Sequence, residues 1–420
     1  MKNTRKALTA FAVAGAVGLV LSGCAGSSAG DSGDVTIEFA QWWEPELSDG
    51  ELRALIDQFE EENPGITVDL LSGPYSSTRE QLFAGSASGT MSDVVGLDGA
   101  WVSDFAKQGS IADLSSLMSD AGFDESQLAS QVQIDGSTYM LPAVNFVYPL
   151  YTNDDLLADA GVDAPPTNRS EFADAAQAIT GGDAYGTAMP LSLESPSGIQ
   201  NQVMSWVWAS GGSMLADGQP DLTNDDVTSA IEYIDGLYQD GVFSPGAFTM
   251  REQDMVEEFS NGRVGMMVDS LAHLTTIREA NPDLNFSISA LPAEDGYDGE
   301  RGIPYASWGL GISESSEHKD EAWKLVEFLM SEDGNSQLSS MASAFPGNLN
   351  ATPDFIGDDP IYEQAFDIYQ QGYPANEFTG LPVAEELMRQ FDTEFQRLLD
   401  GETTVDEMLA TVQKSWEQEF

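Results

Sequence analysis

The chain has 420 residues, with 70 acidic side chains against 16 basic ones and a formal charge of −54 at neutral pH. That excess excludes duplex DNA, RNA and anionic lipid headgroups as partners, because all of them are held through Lys and Arg contacts to phosphate. Hydrophobic residues make up 41% and aromatic residues 10%, enough for a full core, so the charge covers a folded surface of two or three globular units, or of one large bilobal protein, rather than a disordered acidic chain.

In chain order, the first 23 residues read as an export signal. Lys2, Arg5 and Lys6 form a basic start, and Ala7 to Leu21 carries no charge. The uncharged stretch is about 15 residues long, short of the roughly 20 that a permanent bilayer span needs. Leu21-Ser22-Gly23-Cys24 follows at once and resembles a bacterial lipobox, in which the cysteine is acylated and becomes the first mature residue. Cys24 is the only cysteine in the chain, so no intramolecular disulfide, cysteine-based zinc site or redox pair can form. Residues 24–34 are small and polar and read as a flexible tether. Removing the signal takes three basic residues and no acid, so the mature chain is more acidic still.

Val35, Ile37 and Phe39 alternate with polar residues, the period of a strand. A helix is expected next, capped by Ser48 or Asp49, with Leu52, Leu55, Ile56 and Phe59 on one face and Asn63-Pro64-Gly65 as its stop. Ile66 to Leu70 and Asp93 to Leu97 read as further strands, and strand, helix, strand in this rhythm predicts an α/β sheet. In the second half, Val227, Ile231, Ile234 and Tyr238 mark one helix, and Met255, Val256 and Phe259 another. Strands are expected at Val264 to Val268 and at Phe286, Ile288 and Ala290. Ala322, Leu325, Val326 and Leu329 predict a helix, and Leu387, Phe391, Phe395 and Leu398 a long one near the C-terminus. No fixed-period repeat is present, which excludes solenoids and propellers.

Catalytic signatures are missing. There is no GxxxxGK[ST] phosphate loop, no HExxH and no GxSxG. His273 and His318 are 45 residues apart and read as surface or supporting residues rather than metal ligands; neither a metal nor a cofactor is expected. With 70 acids, pairs of carboxylates carry no information, so a glycosidase-like pair stays open.

Several segments in order carry a resemblance. Phe39-Ala40-Gln41-Trp42-Trp43, Asp93-Val94-Val95-Gly96-Leu97-Asp98 followed by Trp101, Phe105, Ala106 and Gly109, and Tyr139-Met140-Leu141-Pro142 leading to Leu150-Tyr151-Thr152-Asn153 form the first half of the series. Trp208-Ala209-Ser210-Gly211-Gly212, Phe259 to Met266 and Trp308-Gly309-Leu310-Gly311-Ile312-Ser313 complete it. Together, behind a lipobox, they resemble the carbohydrate receptors of bacterial ABC importers, the group typified by maltose-binding protein. Two departures bear on ligand choice: Asp269-Ser270-Leu271-Ala272-His273 stands where many members place a Trp, and Asp154 stands where a basic residue is common.

The resemblance implies an α/β fold of two lobes, a hinge and a ligand cleft between them. Lobe 1 would comprise residues 35–145 and 309–346, and lobe 2 residues 147–307 and 350–420, with crossings near Asn145 to Val147, Pro304 to Gly309 and Phe345 to Asn350. It also implies a site of Trp42, Trp43, Glu44, Asp98, Trp101, Asn145, Tyr148, Trp206, Asp269 and Trp308. Sugars present fans of hydroxyls and apolar C–H faces, so short carboxylates and aromatic planes are the side chains that such a site needs. For Trp323 the expectation is core or surface. The expected function is capture of a neutral mono- or oligosaccharide by lobe closure, without catalysis, and delivery to ABC permease subunits by a monomer anchored through Cys24 on the outer face of the cell membrane. Two alternatives remain: a secreted carbohydrate-active enzyme using a carboxylate pair, and the same fold binding a peptide, amino acid or cation. A neutral sugar gains little from net charge, so the acidity is expected to reflect a saline habitat, with melting temperatures that rise from low salt to about 1 M NaCl as screening increases.

Overall fold

The computed structural model describes residues 34–355 and 359–420; the export signal, Cys24 and all of the tether but Asp34 lie outside the described residues. The strands, in chain order, are β1 (Val35–Gln41), β2 (Ile66–Ser72), β3 (Val94–Leu97), β4 (Val132–Ile134), β5 (Ser137–Val147), β6 (Leu150–Asn153), β7 (Tyr185–Thr187), β8 (Leu215–Ala216), β9 (Gln219–Pro220), β10 (Val264–Val268), β11 (Phe286–Ser289), β12 (Arg301–Ile312), β13 (Phe345–Pro346) and β14 (Gly372–Ala375).

The opening rhythm forms as expected. β1 pairs in parallel with β2 along its whole length and with β3 at Phe39 and Ala40. The helix Glu51–Glu62 makes the crossover and buries Leu52, Leu55, Ile56 and Phe59. Its N-cap is Gly50 rather than Ser48 or Asp49, and no side chain caps it. Gly50 stands at φ +82, a left-handed conformation that glycine adopts without a Cβ clash. All four residues of β3 are buried, as covering on both faces of a parallel strand demands. β12 runs antiparallel to both β3 and β5. The first sheet has the order β13-β5-β12-β3-β1-β2, with β4 added to β5 and β14 to β12.

The second sheet has the order β11-β6-β10-β7. Every residue of β10 is buried. Helix Asp225–Gln239 buries Val227, Ile231 and Ile234, with Tyr238 half-buried at its edge, and helix Glu252–Ser260 buries Met255, Val256 and Phe259. The expected helices near the C-terminus are Lys319–Leu329 and Ala384–Leu399. Trp323 is buried, its ring edge-on to Phe123 at 5.6 Å.

Between the sheets, Tyr148 and Pro149 link β5 to β6. The Tyr148 N–H donates to the Pro304 carbonyl at 2.9 Å, which ties this crossing to β12. The C-terminal region touches both sheets. Helix Pro360–Gln370 packs on β11, β14 pairs with β12, and helix Ala384–Leu399 lies between helices Gly99–Gln108 and Asp225–Gln239. That last helix begins after Val383, a β-branched residue at φ +42, a conformation costing about 1–3 kcal/mol. The Val383 N–H is held by Asp104 Oδ1 at 3.0 Å.

Candidate functional site

The strand ends of the first sheet build one wall. Trp42, in the loop after β1, meets Tyr75 at 5.3 Å and Trp101 at 5.2 Å, both edge-on. Tyr75 and Trp101 are 4.9 Å apart. Asp98, after β3, caps the next helix by accepting the Ala100 N–H at 2.8 Å, and it accepts the Tyr75 hydroxyl at 3.2 Å. Trp101 Nε1 donates to Glu385 at 2.9 Å, and Glu385 also pairs with Arg79. Burial raises the Asp98 pKa to about 6, against the Ala100 N–H and with help from Glu385. Asp98 also lines a crevice with Gly99, Tyr305, Ser307, Asn376 and Thr379; a Cβ on Gly99 would stand 2.8 Å from Thr379 Oγ1, so glycine permits the C-terminal segment to close over this point.

Beneath this wall, Trp43 is fully buried and stacks on Trp308 at 5.3 Å and 8°. Such pairs contribute about 0.5–1.5 kcal/mol beyond burial, so Trp43 packs as core. Trp308, on β12, also touches Phe146 at 4.9 Å, and its indole N–H faces Glu46. Asn145 braces the two crossing strands, its Oδ1 accepting from Ser307 Oγ at 2.7 Å. Glu44 accepts the Ser72 hydroxyl at the end of β2.

The second wall is electrostatic. Asp269, fully buried after β10, lies 3.0 Å from His273 Nδ1. Glu252 opens helix Glu252–Ser260, and ligand atoms of Glu252, Asp269 and His273 all lie within 4.8 Å of one another. Glu252 hydrogen-bonds Asp269, and its Oε1 is sealed from solvent. Burial, then the charge of Asp269, pushes the Glu252 pKa well above the usual carboxylate range. Burial opposes the charge of His273, but Asp269 overcomes it and holds the imidazole protonated up to about 10. Glu46 is exposed to solvent, with His273 and the Trp308 indole as its polar neighbours. Tyr148 stands between the walls: burial raises its phenol, followed by Glu252, Asp269 and Asp98.

A π-helical turn, Ile199–Met204, supports the second wall. Asn201 Nδ2 donates to the Tyr148 hydroxyl at 3.2 Å, and Gln202 Nε2 to the Val268 carbonyl at 2.6 Å, next to Asp269. Trp206 follows this turn but faces away, between Phe172 at 5.0 Å and Tyr233 at 5.2 Å. It lines a separate cavity with Met189, Gln202 and Phe243.

Of the residues expected from sequence, Trp42, Asp98 and Trp101 therefore share one wall, Asp269 lies in the other, Tyr148 stands between them and Trp308 lies beneath the first. Asn145 is a brace, Glu44 sits at the rim, Trp43 lies beneath and Trp206 stands apart. Sequence reasoning missed Glu46, Tyr75, Asn201, Glu252 and Glu385, and it set His273 aside. The four-residue step from Asp269 to His273 was the one signal available. Chemically, the arrangement offers carboxyl acceptors, aromatic faces and one cationic donor; the Glu252, Asp269 and His273 cluster has the spacing for a metal ion, although His273 Nδ1 is already engaged by Asp269.

Residues 44–336 match the family described as bacterial extracellular solute-binding protein. A Brucella abortus protein named as a binding protein is 31% identical over 298 residues, which cover 69% of this chain and 71% of that one. An ABC transporter solute-binding protein from Thermotoga lettingae, solved with α-D-tagatose, superposes with a TM-score of 0.78 at 23% identity, covering 91% of this chain and 99% of that one. Maltose-bound MalE3 of T. maritima gives a TM-score of 0.75 at 22% identity, covering 92% and 100%. Both likenesses are statements about fold, and both have the two-lobe α/β arrangement.

Proposed function

The chain belongs to the bacterial extracellular solute-binding protein family, and from that premise we propose that it is the receptor of an ABC importer that captures a saccharide between its lobes and hands it to the permease. The observation that carries this reading is the cleft itself, where the rings of Trp42, Tyr75 and Trp101 and the carboxyl groups of Asp98, Glu46 and Asp269 come from strand ends and loops of both sheets. Open α/β sheets hold their ligands at such ends. The sugars in the tagatose- and maltose-bound relatives of the fold support the ligand class.

The linkers around Asn145 to Val147, Pro304 to Gly309 and Phe345 to Asn350 serve as the hinge, with lobes of residues 35–145 and 309–346 against 147–307 and 350–420. The bound sugar adds contacts that favour the closed state. Cys24 anchors a monomer to the outer membrane face; palmitate labelling of the wild type but not of Cys24→Ser is the expected result.

Thermal shift against a saccharide panel tests the function. A ligand at a hundredfold excess over its Kd should stabilise the protein by about 2.7 kcal/mol. A panel of mono-, di- and oligosaccharides that leaves the melting temperature unmoved would sink the proposal.

A further inference from the structure

We propose that residues 379–385 form a clasp on helix Gly99–Gln108 that lets go as one unit, with Val383 strained only while the clasp is shut. The use of the clasp rests on the receptor reading above, because it sets how readily the cleft opens. The segment is rooted beside helix Asp225–Gln239. There Glu377 accepts the Trp208 indole N–H at 2.7 Å, the Met214 N–H at 2.8 Å and the Ser213 hydroxyl, and the Phe378 ring stands 5.8 Å from Trp416. The chain then crosses to an element packed on the first sheet. The Gly380 N–H donates to the Gly99 carbonyl at 3.0 Å, and Thr379 leaves no room for a Cβ on Gly99. The Val383 N–H donates to Asp104 Oδ1 at 3.0 Å, and Trp101 Nε1 donates to Glu385 at 2.9 Å. All four contacts land on a single helix, Gly99–Gln108.

Two local rules are broken where helix Ala384–Leu399 begins. A helix start favours an extended residue whose side-chain oxygen accepts a free backbone N–H. Val383 instead is left-handed, at φ +42 and ψ +38, and its side chain caps nothing. A β-branched residue is seldom found in that conformation, and it persists there only where its surroundings hold it. Those surroundings are the clasp. Asp104 holds the Val383 amide, while Trp101 and Arg79 hold Glu385 two residues on. The Val383 carbonyl accepts the Leu387 N–H at 3.0 Å, so the strained residue is also fixed to the helix. Losing either contact lets Val383 relax to negative φ, and that change in chain direction draws the other partners away. Contacts and strain are therefore lost together. At the root, by contrast, three donors converge on Glu377, so it stays bound when the clasp opens.

Hydrogen exchange of the ligand-free protein, resolved amide by amide, tests the clasp without any sugar. Glu385→Ala should speed exchange at Gly380 and Val383 at least tenfold, although the Glu385 side chain bonds neither amide. Asp104→Ala, independently, should do the same at Gly380. The Met214 amide, bonded to Glu377, should stay within twofold in both variants and so reports that the fold is intact. Val383→Gly removes the branched side chain and keeps the N–H, and it should slow exchange at Gly380 at least threefold. Small-angle X-ray scattering should give Glu385→Ala a larger radius of gyration than the wild type. Exchange that rises only at the amide whose own partner was removed overturns release as a unit, and faster Gly380 exchange in Val383→Gly overturns the strain. An unchanged radius of gyration overturns the link to the cleft, while the receptor reading stands or falls on the saccharide panel alone.

Discussion

Along the first wall, Asp98 accepts the Ala100 N–H and the Tyr75 hydroxyl, Trp101 donates to Glu385, and Glu385 pairs with Arg79. Across the cleft, Glu252 and Asp269 crowd together beside His273. The first wall holds its carboxyl groups in hydrogen bonds from Ala100, Tyr75 and Trp101 and packs its rings against one another. The second buries Glu252 and Asp269 beside a single imidazolium, and burial with the charge of Asp269 opposes the ionisation of Glu252. Packing and hydrogen bonds therefore stabilise one side of the cleft, while the other side carries a carboxyl group whose ionisation opposes folding.

Substitutions on the two walls should accordingly have opposite signs. Trp101→Ala, at a fully buried ring in the first wall, should lower stability by about 3–5 kcal/mol in urea unfolding. Glu252→Gln should raise the stability of the ligand-free protein at pH 8, by about 1–2 kcal/mol, because it removes a carboxylate held against burial and Asp269. The sign follows from linkage: a raised folded pKa gives stability that is full below the ordinary glutamate value and is lost as pH rises through the folded one. The advantage of the variant should thus grow from pH 5 to pH 9 in unfolding curves, and a flat difference would contradict the strain on this wall. Glu385→Gln, which breaks the Arg79 pair and leaves Trp101 a neutral acceptor, should lower stability by about 1 kcal/mol. A gain there would show that the first wall too carries unrelieved charge.

Much of the fold was legible because burial imposes a period: the faces at Leu52 to Phe59 and at Val227 to Ile234 fall where the helices form. The Gly50 cap was not legible, since Ser48 and Asp49 have the right chemistry and only the path of the chain decides between neighbours. In the site, Trp42, Asp98, Trp101 and Asp269 could be placed because each follows an apolar strand, where open sheets collect their ligands. Glu252 was invisible, one acid among 70 on a helix whose apolar face says nothing about its first turn. Glu385 lies 284 positions from the Trp101 it holds, a separation that no local pattern encodes.

Helix Ala384–Leu399 rests on Gly99–Gln108 from one lobe and on Asp225–Gln239 from the other, so any relative movement of the lobes must shift its surroundings. Glu386 on that helix is exposed, and the chain has a single cysteine, Cys24, inside the expected signal and tether. A secreted form beginning after Cys24 and carrying Glu386→Cys would therefore take one fluorescent dye at one place. The same helix that joins the two walls would then serve as the optical read-out of a reagentless biosensor, reporting occupancy of the cleft as a change in emission.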